Sequence, residues 1–119
     1  MSLTMERFLL LIREDVKLQS AVSDSFFNAH IHEMTRWVAE LVAFGNYLAG
    51  EPLRPCGSYV SKDCILSKGP FIEDREVVSG YILIQAENLA QAGSIVQTCP
   101  VVLEGRIVIE VRPIVEGGL

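Results

Sequence analysis

Arg7-Phe8-Leu9-Leu10-Leu11-Ile12-Arg13 is a run of five apolar residues closed at each end by arginine. Five residues are too few for an ordinary helix, and an unbroken apolar run of this length predicts a strand buried on both faces. Outward from it the period changes. Ser23 or Asp24 can cap a helix, and Phe27, Ile31, Met34, Val38 and Leu41 follow at spacings of four, three, four and three. The pattern predicts a long helix that ends at Gly45 and lays this apolar stripe on a sheet.

Beyond Glu51 the pieces shorten. Ser58 to Ser61 and Cys64 to Ser67, separated by Lys62-Asp63, read as a hairpin, and Gly69-Pro70 then breaks regular structure. Val77 to Ala86 reads as a strand. Asn88 caps a second helix that runs through about Thr98 and is closed by Pro100. In the last strand, Arg106 to Arg112, the residues Ile107, Ile109 and Val111 alternate with Val108, Glu110 and Arg112. This order predicts an α+β fold, a ferredoxin-like split βαβ sandwich with an antiparallel sheet and both helices on one sheet face. The opposite face then needs a cover, which a second copy supplies sheet against sheet, so a homodimer is expected.

The chain has 119 residues and a mass of 13.2 kDa, enough for one domain over residues 1–119 and too few for a two-domain enzyme. Half of the residues are hydrophobic, which argues against disorder. Ten basic residues against fifteen acidic ones leave a net charge of -5 with no basic stripe, so nucleic acid is not an expected partner. The mean hydropathy is +0.32, yet no apolar run approaches the roughly 20 residues of a spanning helix, so no membrane is expected either. No basic segment leads into a long apolar stretch at the N-terminus, and the expected location is cytoplasmic. Cys56, Cys64 and Cys99 form no Cys-x-x-Cys pair and read as reduced thiols. With no glycine-rich phosphate loop, nucleophile elbow or metal-binding motif, no cofactor and no metal are expected.

Gly69-Pro70-Phe71, then Glu73-Asp74-Arg75-Glu76, Gly80-Tyr81, Asn88-Leu89-Ala90-Gln91-Ala92, Cys99-Pro100 and Glu110-Val111-Arg112-Pro113 stand in an order and spacing that resemble the YCII-related family, specifically its DGPF branch. The resemblance spans Phe8 to Pro113 and includes Gly45, Leu48, Gly50 and Leu53 after the long helix. Lys68 stands where the branch has the aspartate of its motif. The resemblance implies a ferredoxin-like subunit in a dimeric α/β barrel. For function it implies either an uncharacterised small-ligand-binding or interaction module, or a cofactor-free lyase or isomerase similar to dehydrochlorinases of hydroxylated aromatics. Where a catalytic branch of the family carries the aspartate partner of its histidine, this chain has Val42-Ala43-Phe44-Gly45 and no carboxylate.

Two histidines, His30 and His32, lie near the start of the long helix. At about 100° per residue they cannot share a face, and His30 sits nearer the apolar stripe while His32 points to solvent. His30 is therefore the candidate acid or base. Glu33 and Trp37, three and seven residues on, place an acid and a flat ring on its flank as candidate ligand-binding groups. Phe71 in the Gly-Pro-Phe turn is either a pocket wall or a core or dimer anchor. Arg112 shares a strand face with Glu110 and can clamp an anionic small molecule if that face lines a cleft.

Overall fold

The structure, a computed structural model, describes residues 4–15, 24–54, 56–66 and 76–118, with the backbone alone for residues 24–30, 66 and 76. In chain order the elements are β1 (Glu6–Asp15), α1 (Asp24–Ala43), β2 (Tyr47–Pro52), β3 (Tyr59–Val60), β4 (Ile65–Leu66), β5 (Glu76–Ala86), α2 (Leu89–Val96), α3 (Pro100–Leu103) and β6 (Ile107–Pro113). The main sheet has the order β2-β5-β1-β6, and each neighbouring pair is antiparallel. β1 and β2 therefore run parallel with β5 between them, joined by α1. β5 and β6 flank β1 in the same way, joined by α2 and α3. Two interleaved βαβ units thus make an α+β fold on a four-stranded antiparallel sheet. β3 and β4 form a separate hairpin, with Tyr59 opposite Leu66 and Val60 opposite Ile65, around the expected Lys62-Asp63 loop.

All the helices contribute to one core. Phe8, Leu10 and Ile12 of β1, Ile82 and Ile84 of β5 and Ile107 of β6 are buried with Trp37 and Leu41 of α1, Ala92 and Val96 of α2, and Cys99 and Val101 at α3. The register explains the shared face. Phe8 lies opposite Ile84, Leu10 opposite Ile82 and Val111, and Ile12 opposite Ile109, and directly opposed residues project to the same side. The intervening Leu9 and Leu11 project to the other side and are only half-buried. Within one subunit β1 is therefore buried on one face only, because an apolar run with no polar alternation says nothing about what covers each side.

Three corrections concern the helices and β2. The buried face of α1 is centred on Trp37 and Leu41, with Met34 and Val38 packed beside them, whereas Ile31 is 47% exposed. The stripe leaves out Trp37, the largest apolar side chain of the helix, which lies just beside it and shifts the buried face round by less than one position. Pro100 does not end a helix but opens α3 at its first position, where a missing N–H costs nothing. β2 carries no periodic signal, since Gly50 and Pro52 interrupt it. Gly50 is required by close approach: a Cβ there would lie 3.0 Å from the Tyr81 carbonyl oxygen and 3.2 Å from Ile82 Cγ1.

The reversal after α1 is a Schellman motif. Asn46 N–H donates to the Leu41 carbonyl (2.9 Å) and Gly45 N–H to that of Val42 (3.1 Å), with Gly45 at φ +78. Asn46 Nδ2 then donates to the Gln85 carbonyl and Gln85 Nε2 to the Gly45 carbonyl, each at 2.9 Å, which ties the helix end to β5 and starts β2. α2 begins as expected at Asn88, whose Oδ1 accepts from Gln91 N–H at 2.8 Å. A second Schellman turn ends α3, where Arg106 N–H donates to the Val101 carbonyl and Gly105 N–H to that of Val102.

Candidate functional site

That second turn delivers Arg106 to the helix side of the sheet. Its Nη2 donates to Glu33 Oε2 at 2.6 Å and also contacts Glu104, so Glu33 is engaged by a guanidinium that is 18% exposed. One turn further along α1, Trp37 is 1% exposed, and its Nε1 donates to Thr98 Oγ1 at 2.9 Å. The Thr98 hydroxyl in turn donates to the Ile95 carbonyl at 2.6 Å, so the indole, the hydroxyl and the end of α2 form one satisfied chain. Trp37 is thus a core anchor between α1 and α2. Cys99 packs beneath the same helix, with its Sγ 3.7 Å from Met34 Sδ, and burial pushes its thiol pKa up.

The opposite side of the sheet carries a different cluster. Arg13 Nε and Nη2 both donate to Glu110 Oε1, at 3.1 and 3.0 Å, and Arg112 Nη1 donates to Glu110 Oε2 at 3.2 Å. β1 and β6 position the three groups: Leu9 lies opposite Arg112, Leu11 opposite Glu110 and Val108 opposite Arg13. The Arg112 and Arg13 guanidiniums hold the Glu110 carboxyl below its ordinary range. On β5, Leu83 lies opposite Leu9 and Tyr81 opposite Leu11, so a half-buried apolar strip borders the charges.

The sheet therefore divides the residues chosen from sequence. Glu33 and Trp37 belong to the helix side and Arg112 to the open side, so one subunit does not bring them into a single site. His30 lies on α1, but its side chain is outside the described residues, as is Phe71 together with Gly69-Pro70 and Glu73-Asp74-Arg75. His32 is exposed. Sequence reasoning passed over Arg13 and Arg106. Arg13 was in view as the charge that ends the first apolar run, and its site is visible only once the register sets it beside β6.

Two grooves of about 400 and 410 Å³ are present, the second on the helix side and the first along the edge strand β6, where it takes in Val108 as well. The first, between α2, α3 and β6, is lined by Val96, Val102, Ile109 and Val111 among others and contains no charged residue. The second includes Glu40, Phe44 and Gln91. Neither contains Glu33, Trp37 or Arg112. Among the described residues no group of three or more His, Cys, Asp or Glu is placed to hold a metal ion, and no helix is long and apolar enough to cross a membrane.

A sheet covered by helices on one face, with a half-buried apolar strip and two arginines on the other, defines a small α+β domain with one sheet face left open among the described residues. Its sequence matches the family model of the YCII-related domain over residues 8–116, and the chain belongs to that family. The match starts in β1 and runs past β6, so it takes in all four strands of the main sheet except Glu6 and Arg7. No curated protein matches the chain.

Proposed function

We infer that this YCII-related chain is a small-ligand-binding module assembled as a homodimer, in which two ferredoxin-like subunits of the DGPF type pack open face against open face as a dimeric α/β barrel. The observation that carries this reading is the asymmetry of the sheet. Phe8 and Leu10 are 1% and 0% exposed beneath the helices, whereas Leu9, Leu11, Tyr81 and Leu83 form a strip that no element of the subunit covers among the described residues. A contiguous apolar strip rimmed by charge is the usual sign of an interaction surface. Binding is favoured over lyase or isomerase chemistry at His30 because the acid and the ring expected beside that histidine have other partners. Glu33 pairs with Arg106, and Trp37 is sealed in the core.

Thermal unfolding followed over about a hundredfold range of protein concentration tests the assembly, since the stability of a dimer that unfolds as it dissociates depends on protomer concentration. The midpoint is expected to rise with concentration. A midpoint independent of concentration would overturn the dimeric reading.

A further inference from the structure

Glu110 is the only carboxylate among the described residues that is bonded to either Arg13 or Arg112, so two permanent positive charges share one negative charge. Neither fork is used up. Arg13 donates through Nε and Nη2, and Arg112 through Nη1 alone, which leaves Nη1 of Arg13 and both Nε and Nη2 of Arg112 as donors. Arg112 is 65% exposed while Glu110, at 34%, holds it from behind, so its remaining edge is oriented and accessible. A guanidinium edge with two N–H groups matches the two oxygens of a carboxylate.

The surroundings define the rest of the ligand. Leu9 and Leu11 occupy the adjacent strand, and Leu83 and Tyr81 the strand beyond, at a spacing of about 4.8 Å per strand. An anion anchored on Arg112 therefore has an apolar floor extending from it in one direction, wide enough for a flat ring. Arg7 lies on the same face opposite Gln85, and Glu51 lies on it opposite Tyr81, so between Arg7 and Arg13 the face carries three arginines against two carboxylates among the described residues, and this one excess positive charge suits a monoanion whose carboxylate stays at the Arg112 end, away from Glu51. We propose that Arg13 and Arg112, held by Glu110, form the binding site for a small monocarboxylate with a compact apolar or aromatic body that lies over Leu11 and Tyr81. This deepens the ligand-binding reading above by naming the site and the ligand class, and the partner subunit's sheet would close the open side.

Benzoate is the probe, with neutral benzamide as its isostere and inorganic phosphate as an anion without an apolar body. Binding is followed by calorimetry and by chemical-shift titration of the intact chain, for the wild type, Arg112→Gln and Arg13→Gln. Circular dichroism and sedimentation mass report the fold and assembly of each protein. Benzoate is expected to bind saturably, with benzamide and phosphate each at least about tenfold weaker, and each variant is expected to lose at least about tenfold in affinity for benzoate. Absence of saturable benzoate binding, equal binding of benzamide or phosphate, or wild-type affinity in both folded variants would overturn the proposal. A monomeric mass with arginine-dependent benzoate binding would instead overturn the dimer and leave this site standing.

Discussion

The two faces of the sheet are built from alternating residues of the same strands, and their fates differ. On one, Phe8, Leu10, Ile82 and Ile84 are sealed under α1, α2 and α3. On the other, Leu9, Leu11, Tyr81 and Leu83 stay half-buried beside a carboxylate shared by two arginines. In β1 both faces are apolar, Phe8, Leu10 and Ile12 on one and Leu9 and Leu11 on the other, so apolar content alone does not distinguish them. The difference lies in what is set beside the leucines. On the covered face apolar side chains from three helices complete the packing, whereas on the open face Arg13, Glu110 and Arg112 keep part of the surface polar. The first arrangement holds the fold together, and the second is the surface on which the proposed binding and assembly rest.

The largest contrast should appear in thiol reactivity. Cys56 and Cys64 are exposed, whereas Cys99 is buried and its thiol is held protonated. Under native conditions two thiols per chain are expected to react promptly with a disulfide reagent and the third at least about a thousandfold more slowly, as it waits for unfolding. Prompt reaction of all three would show that the covered side is loosely packed.

Substitution of adjacent leucines compares the faces directly. Leu10→Ala should cost about 2–5 kcal/mol at every protein concentration, because it leaves a cavity in a closed core. Leu11→Ala should cost less, with a loss that depends on protein concentration because it weakens association. Equal, concentration-independent losses would erase the distinction.

The smallest effect concerns pH. The folded pKa of Glu110 is lowered by Arg112 and Arg13 from a reference of 4.5. The folded state therefore binds its proton less readily than the unfolded chain. The stabilisation is complete above about 4.5 and is lost as pH falls through the lowered folded value. Acid titration of stability should be shallower for Glu110→Gln than for the wild type in that window. Superimposable profiles would mean that the arginines do not hold the carboxylate in solution.

Much of this architecture was legible in the residues, and the failures have physical causes. Asn88, the alternation from Ile107 to Val111 and the run from Phe8 to Ile12 each specify an element through local chemistry. β2 was missed because its stability comes from pairing with β5, where Gly50 admits the Tyr81 carbonyl, rather than from any periodicity of its own. The phase of α1 is hard to read because two turns of helix spread Met34, Trp37, Val38 and Leu41 over a broad arc, and only the hydrogen bond from Trp37 to Thr98 shows its centre. The candidate site was read least well. Glu33, Trp37 and Arg112 look combinable along the chain, but the sheet stands between them. Arg13 and Glu110 are 97 residues apart, and only the register of β1 against β6 joins them.

The central claim is that the open face of the sheet is the surface through which two copies meet. Sedimentation equilibrium of the wild-type chain and of Leu11→Asp at micromolar concentration tests it most directly. The account predicts a wild-type mass of twice the 13.2-kDa chain, and a folded Leu11→Asp protein with the mass of a single chain. A folded wild-type protein with the mass of one chain, or a Leu11→Asp protein that remains a dimer, would contradict it.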